Sequence, residues 1–493
     1  MRKVVDEAYT KAVLAKGVMK TYLKNAVILG VVMIAISTDV CPGLLFAQDW
    51  PEIFEPNLLL TLNIEMNPAD WNDVLNDETF DLEKPAWFWA DGEEGNKLFV
   101  SVRRKSGDPI PPAWGEGDPK ISLKIDINEY IDQDWHGLIK LSMENGDDNN
   151  VLTEGIAANL HRMASAWPGY GYDSWRANWV KVYVNGHYCG VYVNAEHLDK
   201  RFLQNRGLYV WHETWLYQYR GEYNFTLEVG DDSNPRSPAV NELCYRPFRH
   251  EHDPNLVPDV FCDPPDDNNL VTQLNELVNM QGMLSLAAVD AFTANPDSLF
   301  EHQRNAHFLD FNKDNPAETR KRMYFPWDID AAFQSTTFDI YGDNPTEYQM
   351  LILGNLVFRA QYDQIMCDLL AGPFSQASIF EFIDMIEPVL VQAVADDPYN
   401  QLGTNTVEGV AAQFDSIRAW LVARIANVRT QVYCGCGRGN LDGLSPVNFR
   451  DFAILANDWW CSGEGLAGDI NGDETVNFAD LRIIALYWLT TCE

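Results

Sequence analysis

Two β-branched runs, Val180 to Val184 and His187 to Asn194, flank an Asn185-Gly186 pair. Asn and Gly best tolerate the positive φ of a type I′ turn, so the stretch predicts an antiparallel hairpin. Residues 97–103 and 121–126 alternate polar with apolar, the period of a half-buried strand, and Leu58 to Ile64 does so at its end. Val151 to Ser165 reads differently. Leu152, Ile156, Leu160 and Met163 recur at threes and fours, with Thr153 and Glu154 near the start, which predicts a helix.

Beyond Leu198 the text turns mostly helical. Leu270 to Phe292 reads as one long apolar-periodic segment, followed by Tyr348 to Leu370, Ile379 to Ala395 and Val407 to Val432. A Pro/Asp/Asn-rich stretch, 230–269, reads as a surface insertion holding Cys244 and Cys262. The expected class is α+β: a β-rich lobe at 57–195, then a hinge and α-rich lobe at 196–430.

With 36 Lys and Arg against 72 Asp and Glu, the chain carries a formal charge of −36. That excludes a phosphate-backbone binder, whose affinity comes from cations, and suits Ca²⁺ or basic partners. Lys20 and Lys24 precede an apolar run, Ala26 to Ile36, too short for a hydrocarbon core of ~30 Å but right for a signal peptide over 1–47. An uncleaved anchor is the alternative. Export predicts a secreted or cell-surface protein and an oxidising compartment. Of nine cysteines the leader takes Cys41, and the even remainder is expected to form disulfides.

A Gly/Cys linker, 431–439, precedes a tail with internal repetition over 440–493. Asn448-Phe449 to Leu455 matches Asn477-Phe478 to Ile484 at a spacing of about 29. Asp469, Asn471, Asp473, Asn477 and Asp480 stand at positions 1, 3, 5, 9 and 12 of a calcium loop, and Thr475 can give its carbonyl at position 7. In the first copy Leu444 replaces a ligand. The tail resembles a type I dockerin, a small all-α module, which implies Ca²⁺-dependent folding and a cohesin-like partner.

Asn295-Pro296-Asp297 ends the long helix, Asn305 follows eight residues later, and Trp327-Asp328-Ile329-Asp330 closes a strand-like run. Phosphoryl transfer needs a carboxylate for the attacking hydroxyl, a carboxylate and an amide for Mg²⁺, and a Lys for the phosphates. The order fits, but an acidic chain offers many such loops; the bland readings are a helix-end turn residue and a strand cap. Further segments sharpen it: Val100 to Arg104, Lys120 to Ile125, Gly137 to Leu141, Val182 to Tyr192, Glu196 to Leu203 and Pro326 to Asp330. Together these resemble the CotH kinase family of atypical protein kinases. The resemblance implies a two-lobed kinase-like fold, ATP with Mg²⁺, and phosphorylation of protein Ser/Thr. Carried over, Asp297 would be catalytic, Asp328 the principal Mg²⁺ ligand, Asn305 the second, and Asp330 supporting.

Lys140 precedes the 151–165 helix and Glu154 lies in its first turn, an order that suits a Lys-Glu pair on the phosphates. A surface Lys and a Glu favoured by the helix dipole is the bland reading, with Lys124 the competing lysine. Glu196 to Lys200 is expected to face adenine, and Arg103 to reach phosphate or pair along its strand. No G-x-G-x-x-G loop that could cover the phosphates occurs within the expected lobes, 57–430. The alternatives are a catalytically inactive kinase-fold adhesin or scaffold protein, and a carbohydrate-active enzyme using paired carboxylates.

Overall fold

The computed structural model describes residues 52–488, apart from 148–149, 168–169, 222–223, 231–236, 238–242, 244, 249–266, 343–345, 433–438, 443, 445, 464 and 471–474. The expected signal peptide therefore lies outside the described residues. Eleven strands are present among those described: β1 (Leu60–Met66), β2 (Lys84–Ala90), β3 (Leu98–Arg104), β4 (Leu123–Asp126), β5 (Lys140–Glu144), β6 (Ala177–Val184), β7 (His187–Glu196), β8 (Thr214–Gly221), β9 (Asn224–Val229), β10 (Ala306–Phe311) and β11 (Met323–Pro326). The helices are α1 (Pro68–Leu75), α2 (Val151–Ser165), α3 (Lys200–Asn205), α4 (Asp267–Leu277), α5 (Met280–Phe292), α6 (Leu299–His302), α7 (Leu356–Ala371), α8 (Gln376–Ala395), α9 (Val407–Gln431), α10 (Phe449–Asn457) and α11 (Phe478–Leu486).

The first seven strands close into a barrel in the order β1-β2-β3-β4-β5-β7-β6. Every pair is antiparallel except β1 with β6, the parallel pair that closes it. Alternation sends Leu62, Ile64, Phe88, Val100, Val102, Leu123, Ile125, Leu141 and Met143 to one face, all buried. Burying each such side chain contributes ~1.5–3 kcal/mol. The β6–β7 hairpin turns at Asn185 and Gly186, whose φ values of 52° and 79° are the left-handed pair the sequence called for.

The two-lobed kinase-like fold expected from the resemblance is overturned. In place of a separate β-lobe the chain builds a closed barrel, and the region after 198 contains a second, antiparallel sheet in the order β11-β10-β8-β9. Only the α+β class survives. The reason lies in the shared hairpin. Trp179 of β6 and Val191, Val193 and Ala195 of β7 join one core with α2, α5, β8, β10 and α7 to α9. These side chains belong to one continuous core, not to two separate lobes.

Other expectations shift locally. The long 270–292 segment is two helices, because Val278 bridges to Arg322 and Asn279 starts a new helix by capping Gly282 N–H at 3.1 Å. The 348–370 segment opens with a π-turn, Gln349–Leu353, before α7. Helix α2 begins where expected: the Asn150 side chain accepts from Leu152 N–H and Thr153 N–H at 3.0 and 3.1 Å. Gly155 lets α2 lie directly on Trp179, whose ring an added Cβ would meet at 2.4 Å.

In the tail, α10 and α11 pack over Val447, Leu455, Ile470, Val476, Ile483, Ile484 and Tyr487. Tyr487 donates its hydroxyl to Asp368 of α7 at 3.0 Å and accepts from Gln364 at 3.1 Å. Cys189 and Cys461 are free thiols, so the disulfide expectation fails for these two. Cys244, Cys262, Cys434, Cys436 and Cys492 lie outside the described residues. No helix among the described residues is long and apolar enough to cross a membrane.

Candidate active site

Helix α5 ends where its last carbonyls meet a buried cation. Arg424 of α9 donates to Ala291 O at 2.7 Å and Phe292 O at 3.0 Å, matching the negative end of the helix dipole. The chain then reverses through Ala294, at φ 54°, and Asn295 accepts from Asp297 N–H at 3.1 Å. This tight turn carries the Asp297 side chain.

The β10–β11 ladder ends at the pair Ala306 and Pro326. Just past it, Trp327 N–H donates to Asn305 O at 3.0 Å. The Asn305 amide donates to Asp297 Oδ2 at 2.9 Å and to the Asp328 carbonyl at 3.3 Å. Asn305 therefore links the Asp297 side chain, eight residues before it, to the Asp328 backbone, 23 residues after it. Asn305 and Asp328 both sit at positive φ, 54° and 51°, as do Gln303 and Phe333. Left-handed non-glycine residues concentrate at functional sites because the surrounding structure must hold them there. At the far end of the same ladder Arg322 grips Asp310 of β10 through two hydrogen bonds of 2.6 and 2.8 Å, both partners buried.

Opposite this corner stands a polar stripe on the barrel. Register pairs Arg103 with Lys124 and Lys124 with Ser142, placing them side by side on one face. The strand period adds Lys140 and Glu144 to that face, and Lys105 continues it past β3. Lys105 reaches Glu144 and Ser142, the latter at 2.8 Å, and its ammonium lies 5.5 Å from the Trp327 ring centre. Trp327 packs with Trp175, His197 and His307.

Charge is sorted across this space. Burial, then Lys140, Arg103 and Lys105, pushes the Lys124 ammonium down to about 8. Burial, then Lys124, Lys140 and Lys105, holds His197 neutral, well below its ordinary range. On the acidic side, burial and then Glu144, Asp330, Asp328 and Asp147 push Glu154 well above the carboxylate range. Its Oε2 is buried and has no hydrogen-bond partner among the described residues. Asp328 keeps a surface open to water at the mouth of the space. Its carboxyl is nonetheless pushed up to about 6, first by the surrounding protein and then by Glu144, with Asp297 and Asp147 adding and Lys105 opposing.

Not every expected residue joins. Lys140 pairs with Asp126 at 3.3 Å and forms no ion pair with Glu154. Arg103 is tied to the carbonyls of Phe80 and Arg104 at 2.5 and 3.2 Å. The Glu196 side chain is closed by Arg176 and Arg206. Lys200 is exposed beside Tyr209 and Trp211. The sequence reading missed Lys105, Glu144 and Asp147. Alternation alone puts Lys105 on the face of Arg103, and Glu144 on the face of Lys140, but the register across strands is a tertiary fact.

Residues 115–428, well over half of the chain, match the family described as CotH kinase protein. The chain belongs to the CotH kinase protein family. No curated protein matches the chain. Membership carries kinase-like activity, ATP, Mg²⁺ and a protein substrate at family level. The residues present fit such a group. Among the described residues no three His, Cys, Asp or Glu side chains are grouped to hold a metal ion alone. Mg²⁺ commonly takes one or two carboxylates and completes its shell with water and substrate phosphate. Oxygen donors at Asp328 and Asn305, with excess carboxylate charge behind them, meet that demand.

In the tail, Asp480 is fully buried and accepts from Ile470 N–H at 2.7 Å and Asn477 N–H at 2.8 Å. Asp451 does the same in the first copy, from Asp442 N–H at 3.1 Å and Asn448 N–H at 2.8 Å. Each carboxylate closes its loop from the third position of the following helix. Asn477 donates its amide to Thr475 O at 3.2 Å, and Asp469 opens the same loop. Asn471 and Asp473, two expected ligands, lie outside the described residues.

Proposed function

We propose that this chain transfers the γ-phosphate of ATP to Ser or Thr hydroxyls of a protein. The single observation that carries the reading is the Asn305 amide joining the Asp297 carboxylate to the Asp328 carbonyl, 23 residues further along the chain from Asn305. Bound Mg²⁺ would neutralise phosphate charge, and Asp328 and Asn305 would hold it, with Asp330 and Glu154 supplying negative charge behind. Asp297 orients the acceptor hydroxyl and takes its proton. Lys105, with Lys124 behind it, grips phosphate oxygens in the absence of a glycine-rich loop. Trp327, with His197 and His307 edge-on to its ring, borders the same space.

Labelled ATP with Mg²⁺ and the purified chain tests this. Transfer to itself or to casein is expected, and Asp297→Ala should abolish it. No label above that background overturns the reading; retained Mg-ATP binding without transfer would favour the inactive scaffold protein instead.

The proposal extends to the rest of the chain. The leader directs export, and the tail binds Ca²⁺ through Asp469, Asn471, Asp473, Thr475, Asn477 and Asp480 to present a surface for a cohesin-like partner. The buried Asp480 carboxylate at the closure of the loop supports that extension.

A further inference from the structure

The loop from Asp297 to Asn305 brings another charge onto the Asp297 carboxylate. Arg304 Nε donates to Asp297 Oδ1. His302 Nδ1 lies 3.4 Å from the same oxygen, and Asn305 holds the other. An arginine paired with a carboxylate commonly uses two nitrogens in a fork. Arg304 uses one. Its terminal nitrogens have no protein partner among the described residues, and its side chain is 49% exposed.

The backbone is bent to present this side chain. Gln303 and Asn305, on either side of Arg304, sit at φ 51° and 54°. Gln303 is buried at 4% exposure, which anchors the turn from beneath. A left-handed residue on each side of one exposed arginine is a costly way to reach a surface position, and such strain is retained where it serves a site.

We propose that Arg304 binds the phosphoryl group during transfer, its terminal nitrogens on phosphoryl oxygens while Nε stays on Asp297. The inference rests on the phosphotransfer reading and adds a residue to it. In the step, the acceptor hydroxyl oxygen forms a bond to the γ-phosphorus. The bond from that phosphorus to the β,γ-bridging oxygen breaks, its electron pair leaves with ADP, and the hydroxyl proton passes to Asp297. Negative charge on the moving group lies on its non-bridging oxygens. A planar guanidinium beside the proton acceptor meets that charge with two donors, which a lysine ammonium cannot do in the same geometry.

The test compares the full chain with Arg304→Gln, Arg304→Lys and Arg304→Ala, using labelled ATP, Mg²⁺ and casein. Arg304→Gln should lower kcat by about 10²–10³-fold, the cost of removing a preorganised donor from charge that develops in a transition state. The KM for ATP should stay within about threefold, because the contact is made in the transition state. Arg304→Lys should recover only part of the loss. Added methylguanidinium should restore turnover to Arg304→Ala, a rescue that a structural role would not give. Melting temperatures should match, since the side chain is half exposed. An active wild type with Arg304→Gln at unchanged kcat overturns this inference alone, as does loss of kcat without rescue by methylguanidinium. A wild type with no transfer above the Asp297→Ala background overturns the phosphotransfer reading along with it.

Discussion

Glu196 and Glu154 are both buried carboxylates beside the barrel, and their surroundings differ in sign. Glu196, at the end of β7, meets Arg176 at 3.2 Å and Arg206 at 2.9 Å. Burial pushes its carboxyl up, but Arg206 and then Arg176 outweigh that and hold it at about 2. Glu154, in the first turn of α2, feels the charge of Glu144, Asp330, Asp328 and Asp147, and one of its oxygens has no hydrogen-bond partner among the described residues. The first array is complete within the protein. The second gathers more carboxylates than the neighbouring Lys105 pairs, a setting that favours an added cation. Buried charge matched in place holds structure together, and buried charge left unmatched marks where a ligand belongs.

The largest expected effect falls on the complete array. Glu196→Ala strands Arg176 and Arg206 and should cost ~3–5 kcal/mol in urea unfolding. A loss below about 1 kcal/mol would break the comparison, because it would mean the pair is not desolvated as its burial implies.

A smaller effect of opposite sign is expected on the other side. Glu154→Gln keeps neutral a group that burial and neighbouring carboxylates already push toward its protonated form, so the ligand-free protein should melt at the same or a higher temperature. Mg-ATP binding, read by calorimetry, should weaken in the same variant. A clear fall in melting temperature would mean that Glu154 has a stabilising partner after all.

The two arrays should also split by pH. Glu196 has a depressed value, so its contribution is present above its unfolded value near 4.5 and is lost as pH falls toward 2. Asp328 has a raised value of about 6 against an ordinary 3.8, so the folded state takes up its proton first. That site therefore gains stability as pH falls from about 6 toward 4. Unfolding free energies measured across pH should lose the first slope in Glu196→Gln and the second in Asp328→Asn. Identical pH profiles in both variants would contradict the assignment.

The smallest effect belongs to the tail, where Ca²⁺ should raise the melting of the α10–α11 segment because loop oxygens gather around the ion. Equal melting in excess chelator would remove the calcium assignment.

Local chemistry made much of this legible before any fold was known. The Asn185-Gly186 turn, the strands around it and helix α2 each follow from alternation, spacing or a positive φ that few residues accept. Asp297, Asn305 and Asp328 could be picked out because their order matched a chemical need. The Lys124 and Lys140 candidates show where such reading stops. Alternation says which residues share a face, but not which strand lies beside them, and so Lys105 and Glu144 were missed.

What the sequence determined by itself was the local backbone: turns, periods and caps depend on interactions within a few residues. Tertiary structure decided the closed barrel, the second sheet in a stretch that reads as helical, and the sorting of cations from carboxylates. Those depend on register and on which apolar faces share a core. Such choices are settled by burial summed over the whole chain, and no short window of residues contains that sum.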